Sequence, residues 1–153
     1  MSSLTDIMDS IETKLVAITP TVRPQAKFHV ARGSEPLARS FKDTDFDRSF
    51  RLVPTFSPVV NLDYGGVARE ESQIVQLQVG YHSRQKDGVL SDRVTVDSSQ
   101  IMTALQSSGL SWPSTLVNIY PEPGAALTDV AGDGSNALLL TMPWRIVYDE
   151  ATP

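Results

Sequence analysis

The chain has 153 residues, the length of one ordinary domain, and its 41% hydrophobic and 20% charged content is typical of a folded globular protein. Its 13 basic and 18 acidic residues give a net charge of −5, which disfavours sequence-specific DNA binding, because tight binding to phosphates needs a basic surface. The absence of cysteine excludes disulfide scaffolds, zinc ribbons and thiol catalysis. No apolar run approaches the ~18 residues of a transmembrane helix, and the acidic N-terminal segment does not have the pattern of a secretory signal.

Two helices are predicted. The first covers residues 3–18, where apolar residues recur at the 3.6-residue spacing of one helix face, and Pro20 ends it. That face consists of Leu4, Ile7, Met8, Ile11, Leu15 and Ile18. The second helix covers residues 98–108, because Asp97 suits the N-cap and Gly109 suits the position after the last turn.

Strands are predicted where apolar and polar residues alternate. The alternation indicates strands at 48–56, 73–82, 115–120 and 137–148, with a further short strand near 27–30. In the first of these, the apolar face consists of Phe50, Leu52 and Phe56, and the polar residues are Arg48, Ser49 and Arg51. In the last, one face carries Leu138, Leu140, Met142, Trp144, Ile146 and Tyr148.

Proline and glycine mark the rest of the chain as turns and loops. Pro143 cannot donate a ladder hydrogen bond, so its strand is expected at a sheet edge or with a bulge there. Residues 61–71, with the pair Gly65-Gly66, are predicted as a turn or hairpin tip, and 31–47 and 121–137 as long loops without period. The element order α-β-β-α-β-β predicts one α+β domain over residues 1–153: a two-layer sandwich, antiparallel or mixed in its sheet, with two helices on one face.

The chemistry-bearing residues form no recognisable catalytic motif. His29 and His82 are the only histidines, and neither stands in an HExxH or GxSxG context. There is no phosphate-binding glycine loop either. Paired carboxylates stay open, because spatial pairs are invisible in one sequence. We therefore expect no enzyme and no cofactor.

Two acidic segments are candidate metal sites. Asp43, Asp45 and Asp47 alternate like the start of a calcium loop, but the sixth position is Arg48 and the twelfth is Pro54, where glycine and a carboxylate are needed. The segment from Asp129 to Gly134, which includes Asp133, also lacks a full ligand set. Solvated turns explain both segments, and no metal is expected.

The arrangement as a whole resembles a known family. An amphipathic N-terminal helix leads into a proline-broken polar loop and then into the segment Arg48-Ser49-Phe50-Arg51-Leu52. The strand at 74–81, the helix after Asp97 and the closing strand at 138–148 follow. This order resembles the tail terminator (tail-completion) proteins of tailed bacteriophages and related phage-like particles over nearly the whole chain, through element order and hydrophobic pattern.

The resemblance implies a structural virion protein without catalytic residues. Such a subunit would form a hexameric ring at the head-proximal end of the tail tube, end tube polymerisation and dock the head connector. Its partners would be copies of itself, the tail tube protein and the head–tail connector or stopper, with DNA passing only through the lumen. Its place would be the tail or neck of the virion, after assembly in the host cytoplasm, with no membrane contact.

The loops suggest where subunits would meet. The interface hypothesis rests on polar and charged residues that could pair across a joint: Asp43, Asp45, Asp47, Arg48, Arg51, Arg84, Asp129 and Asp133. Two alternatives remain open at this point. One is another neck component, a stopper or adaptor, and the other is a small α+β enzyme or ligand-binding domain that uses His29 or His82.

Overall fold

The structure is a computed structural model, and its described residues form nine helices and strands. It describes residues 3–22, 24, 26–31, 48–55, 59–63, 68–82, 87–106, 112–129 and 137–151. In chain order the elements are α1 (Ser3–Val16), β1 (His29–Val30), β2 (Ser49–Pro54), β3 (Val59–Asp63), β4 (Ala68–His82), α2 (Asp87–Gln106), β5 (Leu116–Pro121), β6 (Ala126–Asp129) and β7 (Ala137–Ala151).

The sheet is built around two long strands. β4 and β7 are antiparallel and pair residue by residue from Ala68↔Ala151 to His82↔Ala137. On the outer side of β4 lie β2 and β3, and on the outer side of β7 lie β5 and β6, all antiparallel to the strand that they flank. β1 adds to β2 in parallel, so the sheet is mixed. The predicted α+β class is confirmed.

The core lies between the helices and one face of this sheet. Alternate residues of the long strands are buried, namely Val75, Leu77, Val79 and Tyr81 of β4 and Leu140, Met142, Trp144, Ile146 and Tyr148 of β7. They form one cluster with the apolar stripe of α1 and with Ile101 and Leu105 of α2. The predicted apolar face of β7 and the predicted alternation in β4 are therefore confirmed. Burial of these side chains at roughly 1.5–3 kcal/mol each makes this cluster the main source of stability.

The second helix differs from its predicted extent. It begins at Asp87, ten residues before the proposed N-cap at Asp97, which lies inside the helix and is fully buried. The N-cap interpretation was wrong. An aspartate before an apolar run can be an N-cap, or it can be a buried charge inside the helix whose partner comes from elsewhere in the chain. Gly109 lies outside the described residues. The first helix ends at Val16, two residues before its predicted end.

The principal strands were found near their predicted positions, except that β4 begins at Ala68, five residues before its predicted start and within the predicted turn, and two short strands were missed. β3 overlaps the predicted turn at 61–71, and β6 lies within the segment 121–137, which was predicted to be a loop. Both are short strands that flank a long one, so their pairing comes from β4 and β7 rather than from an alternation of their own.

Pro143 lies in a central strand, not at a sheet edge, and its pairing with β4 continues without a shift. Its carbonyl accepts a hydrogen bond from the Glu122 N–H at 2.9 Å, so its nitrogen faces the border that β5 and β6 share. Pairing with β5 ends at Trp144 and pairing with β6 begins at Thr141. The proline therefore occupies the gap between two flanking strands, where no ladder donor is needed.

The face assignment can be tested with two adjacent leucines. Leu140→Ala should lower the free energy of unfolding by ~2–5 kcal/mol, since it opens a cavity in the core. Leu139→Ala, the same change on the half-buried opposite face, should cost about 1 kcal/mol or less. Equal losses in urea denaturation would contradict the assignment.

Candidate functional site

The largest fully buried charged side chain among the described residues is Arg48, immediately before β2. It has φ of 62° and no solvent exposure. Its Nε donates to Asp97 Oδ2 at 2.6 Å and its Nη2 donates to Asp97 Oδ1 at 3.0 Å. This two-point pairing of guanidinium and carboxylate joins the start of β2 to the middle of α2.

The same guanidinium also fixes the segment before β1. Nη1 donates to the Ala26 carbonyl at 2.7 Å and Nη2 donates to the Val22 carbonyl at 2.5 Å. The Arg48 guanidinium carbon lies 5.7 Å from the centre of the Phe28 ring. One side chain thus satisfies two backbone carbonyls that are not paired with a neighbouring strand.

Tyr81 completes the cluster from β4. Its hydroxyl donates to Asp97 Oδ2 at 2.9 Å, and the Arg93 guanidinium lies 5.4 Å from the centre of its ring. Burial, followed by the negative charge of Asp97 and their hydrogen bond, raises the pKa of Tyr81 well above its ordinary value. The phenol therefore stays protonated and serves as a hydrogen-bond donor. We call this cluster the Arg48 clamp: the donors and acceptors named above form hydrogen bonds with one another inside the chain.

This clamp corrects two expectations for Arg48. It was predicted on the polar side of a strand and in the interface group, but it is buried and bonded within its own chain. The reason is that the paired strand starts one residue later, at Ser49, so Arg48 is not part of the alternation.

The other proposed interface residues are placed only in part. Arg51 lies on β2 opposite Gln78, half-buried, on the sheet face opposite the helices. Asp129 is the last residue of β6. Asp43, Asp45, Asp47, Arg84 and Asp133 lie outside the described residues.

The histidines are placed on strands. His29 Nε2 lies 2.7 Å from Ser49 Oγ, across the β1–β2 pair. His82 is the last residue of β4. In the described ranges, no group of three or more His, Cys, Asp and Glu residues is close enough to hold a metal ion. None of the described helices is both long and apolar enough to cross a membrane.

Further polar contacts lie on both faces of the β4–β7 pair, and their side chains range from buried to about a quarter exposed. Arg145 donates from Nε to Glu122 Oε1 at 2.5 Å and from Nη1 to Ser72 Oγ at 2.7 Å. Nearby, the Tyr148 hydroxyl donates to Glu71 at 2.8 Å, and Glu150 accepts from the Ser3 N–H at the start of α1. These contacts join the segment after β5 and the start of α1 to the long strands.

The border formed by β5 and β6 carries exposed apolar side chains. Val117 of β5 is 51% exposed and Leu127 of β6 is 41% exposed. On β5, the Ile119 N–H is capped by Asn118 Oδ1 at 2.9 Å, and Pro121 has no N–H. These are features by which proteins close a sheet edge to further strands. Residues 123–128 are exposed throughout and carry no charge.

The sequence contains one signal for the clamp that was not used. The buried stripe of α2 runs Val94, Asp97, Ile101, Leu105, so the aspartate stands at a position where the helix needs an apolar side chain. A charge in such a stripe indicates a buried partner, although it does not identify Arg48.

Removing the charge of Asp97 tests the clamp. Asp97→Asn should lower the free energy of unfolding by ~3–5 kcal/mol, because it leaves the Arg48 guanidinium buried without its counter-charge. Glu122→Gln is the matched control, since its pair with Arg145 is about a quarter exposed and should contribute ~0–1 kcal/mol. Similar losses for the two variants in urea denaturation would contradict this.

The pKa of Tyr81 predicts an alkaline effect. Below its ordinary pKa of 10.0, Tyr81 is protonated in both states and its contribution is complete. Above that pH, the unfolded chain loses the proton more readily than the folded one, so stability falls as pH rises toward the folded-state pKa. Tyr81→Phe should cost ~0.5–3 kcal/mol near neutral pH, from the lost hydrogen bond to a charged group.

The measurement is urea denaturation of both proteins at several pH values from neutral upward. The difference between wild type and Tyr81→Phe should shrink above about pH 10. The remaining tyrosines are common to both proteins and cancel. A difference that stays constant with pH would show that Tyr81 ionises equally in the folded and unfolded states.

The comparisons with known proteins show a shared fold. Neither a known protein family nor any curated protein matches the sequence. Among solved structures, the chain is similar to a chain of the virion of a native gene transfer agent (GTA) particle, at 14% sequence identity and a TM-score of 0.59. The similarity covers 96% of this chain and 97% of that chain, so the two have the same fold along their whole length.

Proposed function

We propose that this chain is a structural subunit of a phage-like virion, and specifically a tail terminator. It forms a hexameric ring that caps the head-proximal end of the tail tube, ends tube polymerisation and docks to the head connector. The supporting observation is the fold shared, end to end, with a chain of the GTA virion. The predicted resemblance to tail terminators, drawn from element order and hydrophobic pattern, agrees with it.

The partners follow from that role. They are further copies of this chain, the tail tube protein and the head–tail connector, with DNA passing through the lumen of the ring. A net charge of −5 suits such a passage, because like charge repels the phosphates and keeps DNA from adhering. The protein would be located in the tail or neck of the virion.

The proposed subunit joint uses acidic residues of the long segments and basic residues outside them. Asp43, Asp45, Asp47, Asp129 and Asp133 would pair with Arg51 and Arg84 of a neighbour. Solvent-exposed pairs contribute only ~0–1 kcal/mol each, so they would set the register of the joint rather than drive assembly. Apolar surface buried between subunits would supply the driving free energy.

Electron microscopy and native mass spectrometry of the protein with tail tubes test this role. We expect a six-membered ring on one end of each tube, and particles that lack the protein should carry overlong tubes without heads. Normal tube lengths with failed head attachment would instead indicate a stopper or adaptor. A chain that stays monomeric in the presence of tubes would contradict the ring.

The proposal includes the absence of catalysis, which the histidines test. His29→Ala removes the contact with Ser49, and His82→Ala removes the other histidine. Because the function is assembly, both variants should form rings and support head attachment at the wild-type level. A variant that assembles normally but loses function outright would favour the enzyme alternative.

A further inference from the structure

One row of paired residues crosses the whole sheet at a single level. Val30 of β1 pairs with Phe50 of β2, which pairs with Val79 of β4. Val79 pairs with Leu140 of β7, which pairs with Leu127 of β6. Directly paired residues share a face, so all five side chains lie on the face that the helices cover.

At the β1 end of this row, the main chain points outward. The N–H groups of His29 and Ala31 donate to the carbonyls of Arg48 and Phe50 at 3.2 and 2.8 Å. Successive residues of a strand direct their N–H and C=O groups to opposite sides. The main-chain groups of Val30 therefore point away from β2, toward the border of the sheet.

The β6 end is equivalent. The bond from the Glu122 N–H to the Pro143 carbonyl shows which residues of β7 face this border. By that alternation, Ala126 and Thr128 bond toward β7, and the N–H and C=O of Leu127 point outward. No strand among the described residues lies beyond β1 or beyond β6.

The two strands of the β7 border differ in their edge groups. β5 is closed, because Asn118 caps the Ile119 N–H and Pro121 offers none. β6 carries neither device, and its Leu127 side chain is 41% exposed. Natural proteins block edges that must stay unpaired, and among the described residues the outward N–H and C=O of Leu127 have neither a side-chain cap nor a proline beside them, so β6 is the place for an added strand.

We propose that copies of this chain join head to tail by pairing β6 of one copy with β1 of the next, with Leu127 opposite the Val30 of that copy. This rests on the proposed ring. The sheet then continues from subunit to subunit, and Leu127 extends the apolar row of its own core onto the neighbour.

The strand directions and levels favour a second copy as the occupant. β6 is antiparallel to β7, whereas β1 runs in the direction of β7, so the joined strands would be antiparallel. Val30 and Leu127 are the two ends of one row of directly paired residues. Joining them therefore shifts each copy by nothing along the strand direction, and a ring can close. The uncharged stretch 123–128 also avoids repulsion between copies that each carry −5.

β3 is the other strand on the far border, and its level does not fit. Val60 of β3 pairs with Glu71, which pairs with Tyr148, whereas Leu127 pairs with Leu140. The offset along β7 is 148 − 140, eight residues or about 27 Å. Joining β6 to β3 would repeat that offset at every subunit and build a filament instead of a ring.

A pair of introduced cysteines tests the contact, because the natural chain has none. Within one copy, Leu127 and Val30 are four strand spacings of ~4.8 Å apart, about 19 Å, which no disulfide spans. Across the proposed joint their Cα atoms would be ~5.5 Å apart, within disulfide range. The double variant Leu127→Cys, Val30→Cys should give a covalent ladder up to the full ring under oxidation, and the single variants at most dimers.

Two controls use Val117, which is also exposed but lies on the closed strand β5. Val117→Cys with Val30→Cys should give no ladder, and Val117→Asp should assemble like wild type. Leu127→Asp should keep the circular dichroism spectrum of the wild type but lose the ring, since it places a charge at the joint.

The outcomes separate this contact from the ring itself. A ladder specific to the 127–30 pair, together with loss of the ring in Leu127→Asp, supports the contact. Normal rings in Leu127→Asp, together with no cross-linked ladder in the 127–30 cysteine pair, overturn the contact and leave the proposed function standing. A wild-type chain that stays monomeric on tail tubes overturns both.

Discussion

The pairing of β4 with β7 over fifteen residues of each strand is the constraint on which the other elements depend. It sets one register for the whole sheet, since each flanking strand pairs with only part of a long strand. Because side chains alternate with a period of two, that register also decides which face is apolar. A slip by one residue would expose Trp144, Ile146 and Tyr148 and bury Arg145, so the apolar pattern itself protects the register.

The Arg48 clamp has a different effect: it attaches the segment before β1, whose carbonyls are not paired with a strand. The carbonyls of Val22 and Ala26 are bonded to a guanidinium instead of to a strand. Burying a guanidinium and a carboxylate costs several kcal/mol per ion, and their attraction offsets this only when the geometry is good and the remaining donors are used. Here two bonds to Asp97 and two to carbonyls meet that condition. The clamp is therefore better understood as fixing one arrangement of the loop base than as a large gain in stability.

The sequence predicted the features that come from periodicity and missed those that come from long-range partners. The faces of β4 and β7 follow from strict alternation, and α1 follows from its apolar stripe. The start of α2 was placed eleven residues late because Asp97 satisfies the rule for an N-cap, whereas its actual partner, Arg48, is 49 positions away. β3 and β6 take their structure from the long strands that they flank. For the candidate site, five of the eight proposed interface residues lie outside the described chain, and Arg48 has a different role.

Pro143 divides the outer side of β7 between the two short strands β5 and β6. Its missing N–H faces the side of β7 where β5 ends and β6 begins, so the proline allows two separate short strands to share one border. Gly124, with φ of 111°, lies in the turn between them, and a Cβ there would approach the Pro143 ring at 4.0 Å.

Dividing the border lets the two strands have different edges, one closed by Asn118 and Pro121 and one open at Leu127. A single long flanking strand would expose a continuous edge, which invites unspecific pairing. In the proposed joint, this division would confine strand addition to one short site level with β1, the condition under which edge pairing of identical copies leads to a closed ring.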